Sequence, residues 1–143
     1  MSDIAVGAKD ILVAAGVGTF AAASGWGIYV SKEPSSPNTT ITLFNTAGRP
    51  PNPKWLLDYP SLNIRIRGDK GGYQAVEDKA KEVKDALLGL DSQDINGDRW
   101  VSVTMASDIT FIGYDNNERP MYSLNFRLIV EPAASGLTNR QAL

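Results

Sequence analysis

Residues 62–90 read LNIRIRGDKGGYQAVEDKAKEVKDALLGL and place a strand, a turn and a helix in that order. Leu62, Ile64 and Ile66 alternate with Asn63, Arg65 and Arg67, the period of a strand buried on one face. Residues 68–72 supply the turn. From there the period lengthens: Tyr73, Val76, Ala80, Val83, Leu87 and Leu90 recur at spacings of three and four. Glu77, Asp78, Lys81, Glu82, Lys84 and Asp85 take the solvent side, with Glu77 and Lys81 oriented as an i,i+4 ion pair. A strand with one apolar face and a helix with one apolar stripe bury them against each other, which sets a layered α+β fold.

The chain downstream extends the sheet. Residues 94–98, Asp-Ile-Asn-Gly-Asp, read as a turn; residues 100–106 and 109–114 read as strands broken by Ser107 and Asp108. Residues 115–120 close a hairpin onto a long strand in which Tyr122, Leu124, Phe126, Leu128 and Val130 alternate with Ser123, Asn125, Arg127, Ile129 and Glu131. After Pro132 the sequence turns small and polar, a tail without its own core.

Upstream, Ser2 is positioned to cap a first helix with Asp3 near its positive end and a stripe of Ile4, Ala8, Ile11, Leu12 and Ala15; Gly16 and Gly18 stop it. Trp26, Ile28 and Val30, then Ile41 and Leu43 among Thr40, Thr42 and Phe44, mark two strands joined by the turn-rich residues 31–38. Six of the eight prolines lie between Pro34 and Pro60, so residues 45–58 read as an extended loop pinned by Trp55, Leu56 and Leu57. A loop of that length is a candidate contact surface. The expected architecture is a single α+β domain over residues 1–131, with a mixed or mainly antiparallel sheet and the N-terminal and central helices on one face, followed by a C-terminal arm over residues 132–143.

Composition narrows the function. The 143 residues contain no cysteine and no histidine, which removes disulfides, thiolate nucleophiles, Cys/His zinc sites and histidine-based triads. With 43% hydrophobic and 21% charged residues the chain has the makings of one core. A net charge of -2 gives no general attraction to nucleic acid or anionic membrane. Residues 11–30 carry no charge, but Gly16, Gly18, Gly25 and Gly27 among alanines make a poor span, and Asp3, Lys9 and Asp10 make a poor signal-peptide flank. A helix leading into a strand is the expected reading there.

Reactive constellations are sparse. The Gly68–Gly72 turn precedes a helix but has neither phosphate-loop nor dinucleotide spacing. Asp91, Asp94, Asn96 and Asp98 fail the calcium-loop pattern, because Gly97 precedes Asp98 and Arg99 follows it. Nothing pairs Asp58, Asp69, Asp108 or Asp115, and no serine sits in a G-x-S-x-G or S-x-x-K motif. No catalytic, cofactor-binding or metal-binding residue is therefore expected. Arg65, Arg67 and Arg127 fall on the outer faces of two strands, a patch suited to carboxylates of a neighbouring subunit or to solvent rather than to nucleic-acid readout. With Trp55, Pro132 and Leu137 they form the candidate subunit or partner interface.

Three pieces carry a family resemblance: Leu62-Asn63-Ile64-Arg65-Ile66-Arg67-Gly68; the helix from Tyr73 through Ala75 and Ala80 to Leu87 and Leu90; and Ile112-Gly113-Tyr114-Asp115 with Asn117, Glu118 and Arg119, running into Tyr122-Ser123-Leu124-Asn125-Phe126. Together they make residues 59–131 resemble the tail terminator proteins of long-tailed bacteriophages, also called minor capsid or tail-completion proteins. The resemblance implies a non-enzymatic virion protein of the tail and neck, made in the host cytoplasm. Such proteins assemble into a ring, usually hexameric, at the head-proximal end of the tail. The ring ends polymerisation of the tail tube protein, presents its other face to the head connector or stopper protein, and lets DNA pass through its pore without sequence-specific binding. No membrane and no cofactor are implied. The proline-rich residues 45–58 depart from the family's shorter link. Two other readings compete: a ligand-binding or small enzyme domain with a site under that loop, lined by Trp55 and Tyr59, and a membrane anchor over residues 11–30.

Overall fold

Ile64 faces Leu124, Leu62 faces Phe126 and Ile66 faces Tyr122 across an antiparallel pair of strands, and these cross-strand contacts form the centre of the core. In a computed structural model describing residues 1–134 and 136–143, the chain runs α1 (Ile4–Ala14), β1 (Thr19–Phe20), β2 (Gly27–Val30), β3 (Thr40–Arg49), β4 (Tyr59–Arg67), α2 (Tyr73–Leu87), β5 (Gln93–Ile95), β6 (Asp98–Met105), β7 (Thr110–Tyr114) and β8 (Pro120–Glu131). One mixed, curled sheet has the order β1-β2-β3-β4-β8-β6-β5, with β7 also paired to β8. β1, β2 and β3 are mutually parallel and every other pairing is antiparallel. Because β4 already pairs with Met121–Arg127 of β8, β6 and β7 occupy its other edge as one interrupted strand.

Both helices cover the apolar face. Val76, Ala80, Val83 and Leu87 of α2 and Ile4, Ala5, Ala8 and Leu12 of α1 are buried in the cluster that holds Ile41, Leu43, Leu62, Ile64, Ile66 and Leu124. Gly7 lets α1 approach Trp100, since a Cβ there would stand 2.9 Å from the indole. At Gly68 a Cβ would collide with Val76, so the strand-to-helix turn requires glycine for packing.

Several expectations need correction. Asp3, not Ser2, caps α1: its carboxylate accepts from the Val6 amide at 3.1 Å, because the Ser2 hydroxyl is engaged by the Asn96 carbonyl and the Ser2 amide by Asp98. Ile11 is only half-buried and Ala15 is exposed, so the buried stripe runs through Ala5 and Gly7 instead. Residues 45–49 are not loop: β3 continues to Arg49 against β4, and only residues 50–58 are irregular. The turn expected at 94–98 is tighter than its composition suggests. Asn96 and Gly97, at φ 51° and 90°, form its tip, and β5 and β6 flank it. The uncharged residues 11–30 divide among α1, β1 and β2, and among the described residues no helix is long and apolar enough to cross a membrane.

Candidate interaction surface

The face of the sheet turned away from the helices is polar because alternate residues of β4 and β8 point there. Asn63 donates to Ser123 Oγ at 2.8 Å and to Asn125 Oδ1 at 2.9 Å, which ties the two strands across their outer side. Ser61 pairs in register with Arg127, and Arg127 with Thr104 on β6. A groove of about 510 Å³ opens on this face, lined in part by Arg49, Tyr59, Ser61, Thr104 and Arg127. The Arg49 guanidinium lies 4.5 Å from the Tyr59 ring centroid, and that of Arg65 lies 6.0 Å from Phe44. Arg65 Nε is buried without a hydrogen-bond partner. Among the described residues Arg49, Arg65 and Arg127 have no carboxylate partner, whereas Arg67, Arg99, Arg119 and Arg140 each have one.

Arg67 does not belong to this surface. It is 2% exposed, and its guanidinium donates to the Asn38 carbonyl at 3.1 Å, the Pro37 carbonyl at 2.7 Å and Glu33 Oε1 at 3.2 Å. Residues 31–39, the link from β2 to β3, fold over the end of β4 and cover it. Burial, and then the like charge of Arg119, pull its pKa below the usual value, while Glu33 and Asp115 oppose that shift. Arg119 reaches the same link from β8's side, donating to the Ser35 carbonyl at 2.7 Å and to Asn38 Oδ1 at 3.1 Å, and pairs with Asp115 at 2.7 Å. Asp115 in turn accepts from the amides of Asn117 and Arg119, closing the hairpin from within. The residues that carry the family resemblance are thus braces of the fold. The i,i+4 spacing of Asp115 and Arg119 is the sequence signal that finds this pair.

The other candidates separate. Leu137 is fully exposed. Pro132 is buried and unavailable to a partner as the chain stands. Trp55 is half-buried and bridges in parallel to Gln141, whose carbonyl accepts from Leu56 at 2.7 Å and whose amide donates to Lys54 at 2.9 Å. Arg140 joins Asp58 at 2.6 Å, a bond that raises the arginine's pKa. Leu56, 2% exposed, fills the space beneath the loop. Tyr59 does line the outer groove, together with a second groove of about 300 Å³, but Trp55 lines neither. Among the described residues, neither of these two grooves has both aromatics in its wall.

A second surface lies along β7. Tyr73, Phe111, Tyr114 and Tyr122 interlock with ring centroids 5.1–5.8 Å apart, and Phe111, Ile112 and Tyr114 remain exposed. The carboxylate-rich turn ties the two ends of the chain together, because Asp98 accepts from the Ser2 amide at 2.6 Å and the Ala133 amide at 2.9 Å. Among the described residues no three acidic side chains are grouped to hold a metal ion.

The fold is α+β, with Arg49 and Arg127 lining a groove on the outer sheet face and Phe111, Ile112 and Tyr114 exposed along β7. The family model for bacteriophage tail terminator protein matches residues 7–132, and the chain belongs to that family. It is a structural component of the phage virion's tail and not an enzyme. Among solved structures it is similar to a chain of the virion of a native gene transfer agent particle, with a TM-score of 0.70 and 18% identity over 90% of this chain and 94% of that one, a likeness of fold. No curated protein sequence matches it.

Proposed function

We propose that copies of this chain form a ring, six to a turn, at the head-proximal end of the tail, where it ends tube polymerisation and joins the tail to the head connector. Membership of the tail terminator family over residues 7–132 is the observation that carries this reading. The surfaces support it. The arginine-lined groove and the aromatic edge of β7 differ from each other, and a ring is built from unlike surfaces meeting head to tail. Arg65, Arg127, Trp55 and Leu137 remain the interface candidates, with Arg49 added and Arg67 and Pro132 removed, and residues 132–143 act as an arm at that interface. The net charge of -2 suits a pore through which DNA slides.

Native mass spectrometry and negative-stain imaging of the purified protein, alone and with tail tube protein, test the reading. Rings that stop tube growth at one end are expected. A protein that stays monomeric at every concentration and leaves tube length unchanged overturns it.

A further inference from the structure

The sheet's groove region and the end of α2 carry opposite charges without ion-pair partners among the described residues. On the outer sheet face Arg49, Arg65 and Arg127 have no carboxylate partner among the described residues. On the far side, the helical layer ends in exposed carboxylates. Lys79, Lys81 and Lys84 are already taken by Glu82, Glu77 and Asp108, and no cation bonds the side chains of Asp85 and Asp91 among the described residues. Between those two in sequence lies Leu88, 42% exposed, at the C-terminal end of α2. The buried stripe of α2 packs against the sheet's apolar face, so the exposed Asp85 lies on the other side of the core from the arginines, and Asp91 follows in the link from α2 to β5.

We propose that the arginine groove of one copy receives the C-terminal end of α2, with Asp85, Leu88 and Asp91, from the next copy in the ring. The contact rests on the ring reading of the function and names the surfaces that close it. Charge complementarity between two faces of the same chain selects a second copy as occupant: guanidinium forks match carboxylates in paired geometry, and the groove offers Tyr59 to the leucine. Faces on opposite sides of the molecule produce a head-to-tail contact, which a twofold dimer would not use. The groove suits DNA poorly. Two arginines, Arg49 and Arg127, in a recess lined by β3, β4, β6 and β8 do not form the long cationic stripe that tracks a phosphate backbone.

Charge reversal on each face tests the contact. Arg127→Glu and Asp85→Arg lie at exposed positions, so thermal melting should report folded proteins in both cases. Each variant alone should raise the half-assembly concentration about tenfold or more, and an equimolar mixture should recover assembly, because the reversed faces then complement each other. Raising salt should weaken the wild-type assembly. Single variants that assemble as well as wild type, or a mixture without recovery, overturn the surface assignment while the ring stands. A wild-type protein that never assembles overturns the ring and this contact together. Loss of binding to a duplex DNA fragment on Arg127→Glu, with rings intact, reassigns the groove to phosphate.

Discussion

Arg67 and Arg119 donate to the two ends of one residue: Arg67 Nε to the Asn38 carbonyl and Arg119 Nη1 to Asn38 Oδ1, each at 3.1 Å. Two guanidiniums persist here because Glu33 and Asp115 supply opposite charge and because backbone carbonyls of residues 35, 37 and 38 accept further bonds from them. The grip holds the β2–β3 link against the strands it crosses.

Replacing Arg67 should therefore cost more than the alternation of β4 suggests. Arg67→Ala leaves Glu33, Pro37 and Asn38 without their donor in a part-buried place, at a cost of about 2–3 kcal/mol. Arg67→Lys keeps the charge but not the fork, and should fall between the two. Urea unfolding midpoints measure this; a loss below about 1 kcal/mol for the alanine variant would match an exposed arginine and contradict the buried one.

Gly68 follows at once in the chain and is fixed by a different constraint. A Cβ there collides with the Val76 side chain on the first turn of α2. Gly68→Ala should destabilise by about 1–3 kcal/mol through overpacking, and Gly68→Ala with Val76→Ala should recover part of that loss. Thermal melting of the single and double variants decides it, and equal midpoints for wild type and Gly68→Ala would show that α2 can shift freely.

The difference between Arg65 and Arg67 marks how far the sequence alone carries. Both sit at outward positions of one period-2 pattern, and the pattern is right about which face each occupies. What buries Arg67 is a link 30 residues upstream folding over it, which local alternation does not encode. Strands and α2 were legible because one face of each is apolar and the other is not. Residues 45–49 were not, since all five residues are exposed and the strand is held by backbone pairing to β4. The candidate surface was half-legible for the same reason. Arg127 could be placed on the outer sheet face from its alternation, whereas Arg49 joins it only through that unpatterned extension of β3.

Acid should unfold the protein through particular carboxylates. Hydrogen bonds from Asn45 to Asp3, Lys9 to Asp10, Lys81 to Glu77 and Lys84 to Asp108 hold each below its usual pKa. Burial works the other way at Asp115, but bonds from Arg119 and Asn117 more than offset it, so it too is lowered. Carboxylates depressed in the folded state bind fewer protons than in the unfolded chain. Their contribution is fully present above about pH 5 and is lost as the pH falls through the folded values. With no histidine, stability should be flat from about pH 6 to 9. Urea midpoints recorded from neutrality into acid check both claims, and Asp115→Asn should give a shallower acid limb.

Alkali acts on the aromatic edge. The Tyr122 hydroxyl lies 2.7 Å from that of Tyr73 and 3.2 Å from Glu77 Oε2; burial first, then both neighbours, push its pKa well above the usual value of 10. The unfolded chain then releases this proton before the folded one does, so stability falls as the pH rises past about 10. Tyr122→Phe keeps the ring contacts and removes the proton. It should flatten the alkaline limb, and an unchanged limb would assign the loss to other groups, such as Lys81, whose pKa is raised by Glu77.

Residues 133–143 lie beyond the family match, yet Gln141 bonds the backbone on both sides of Trp55 and Arg140 bonds Asp58. The irregular segment 50–58 has few other anchors: Leu56 beneath it, and the Asp58–Val130 pairing at 2.8 and 3.0 Å, which needs nothing after residue 130. Ending the chain at Pro132 should therefore loosen one end of the loop and spare the other. The Leu56 amide loses its acceptor and should exchange its hydrogen faster, while the Asp58 amide stays protected. The global cost should be about 1–2 kcal/mol, since the helices and the central strands keep every contact among themselves. Hydrogen exchange read at single amides separates the two outcomes. Leu56 protection equal to that of the full chain would show that the loop is held by its own apolar contacts, and Asp58 exchange as fast as Leu56 would show that the C-terminal residues brace the end of β8 as well.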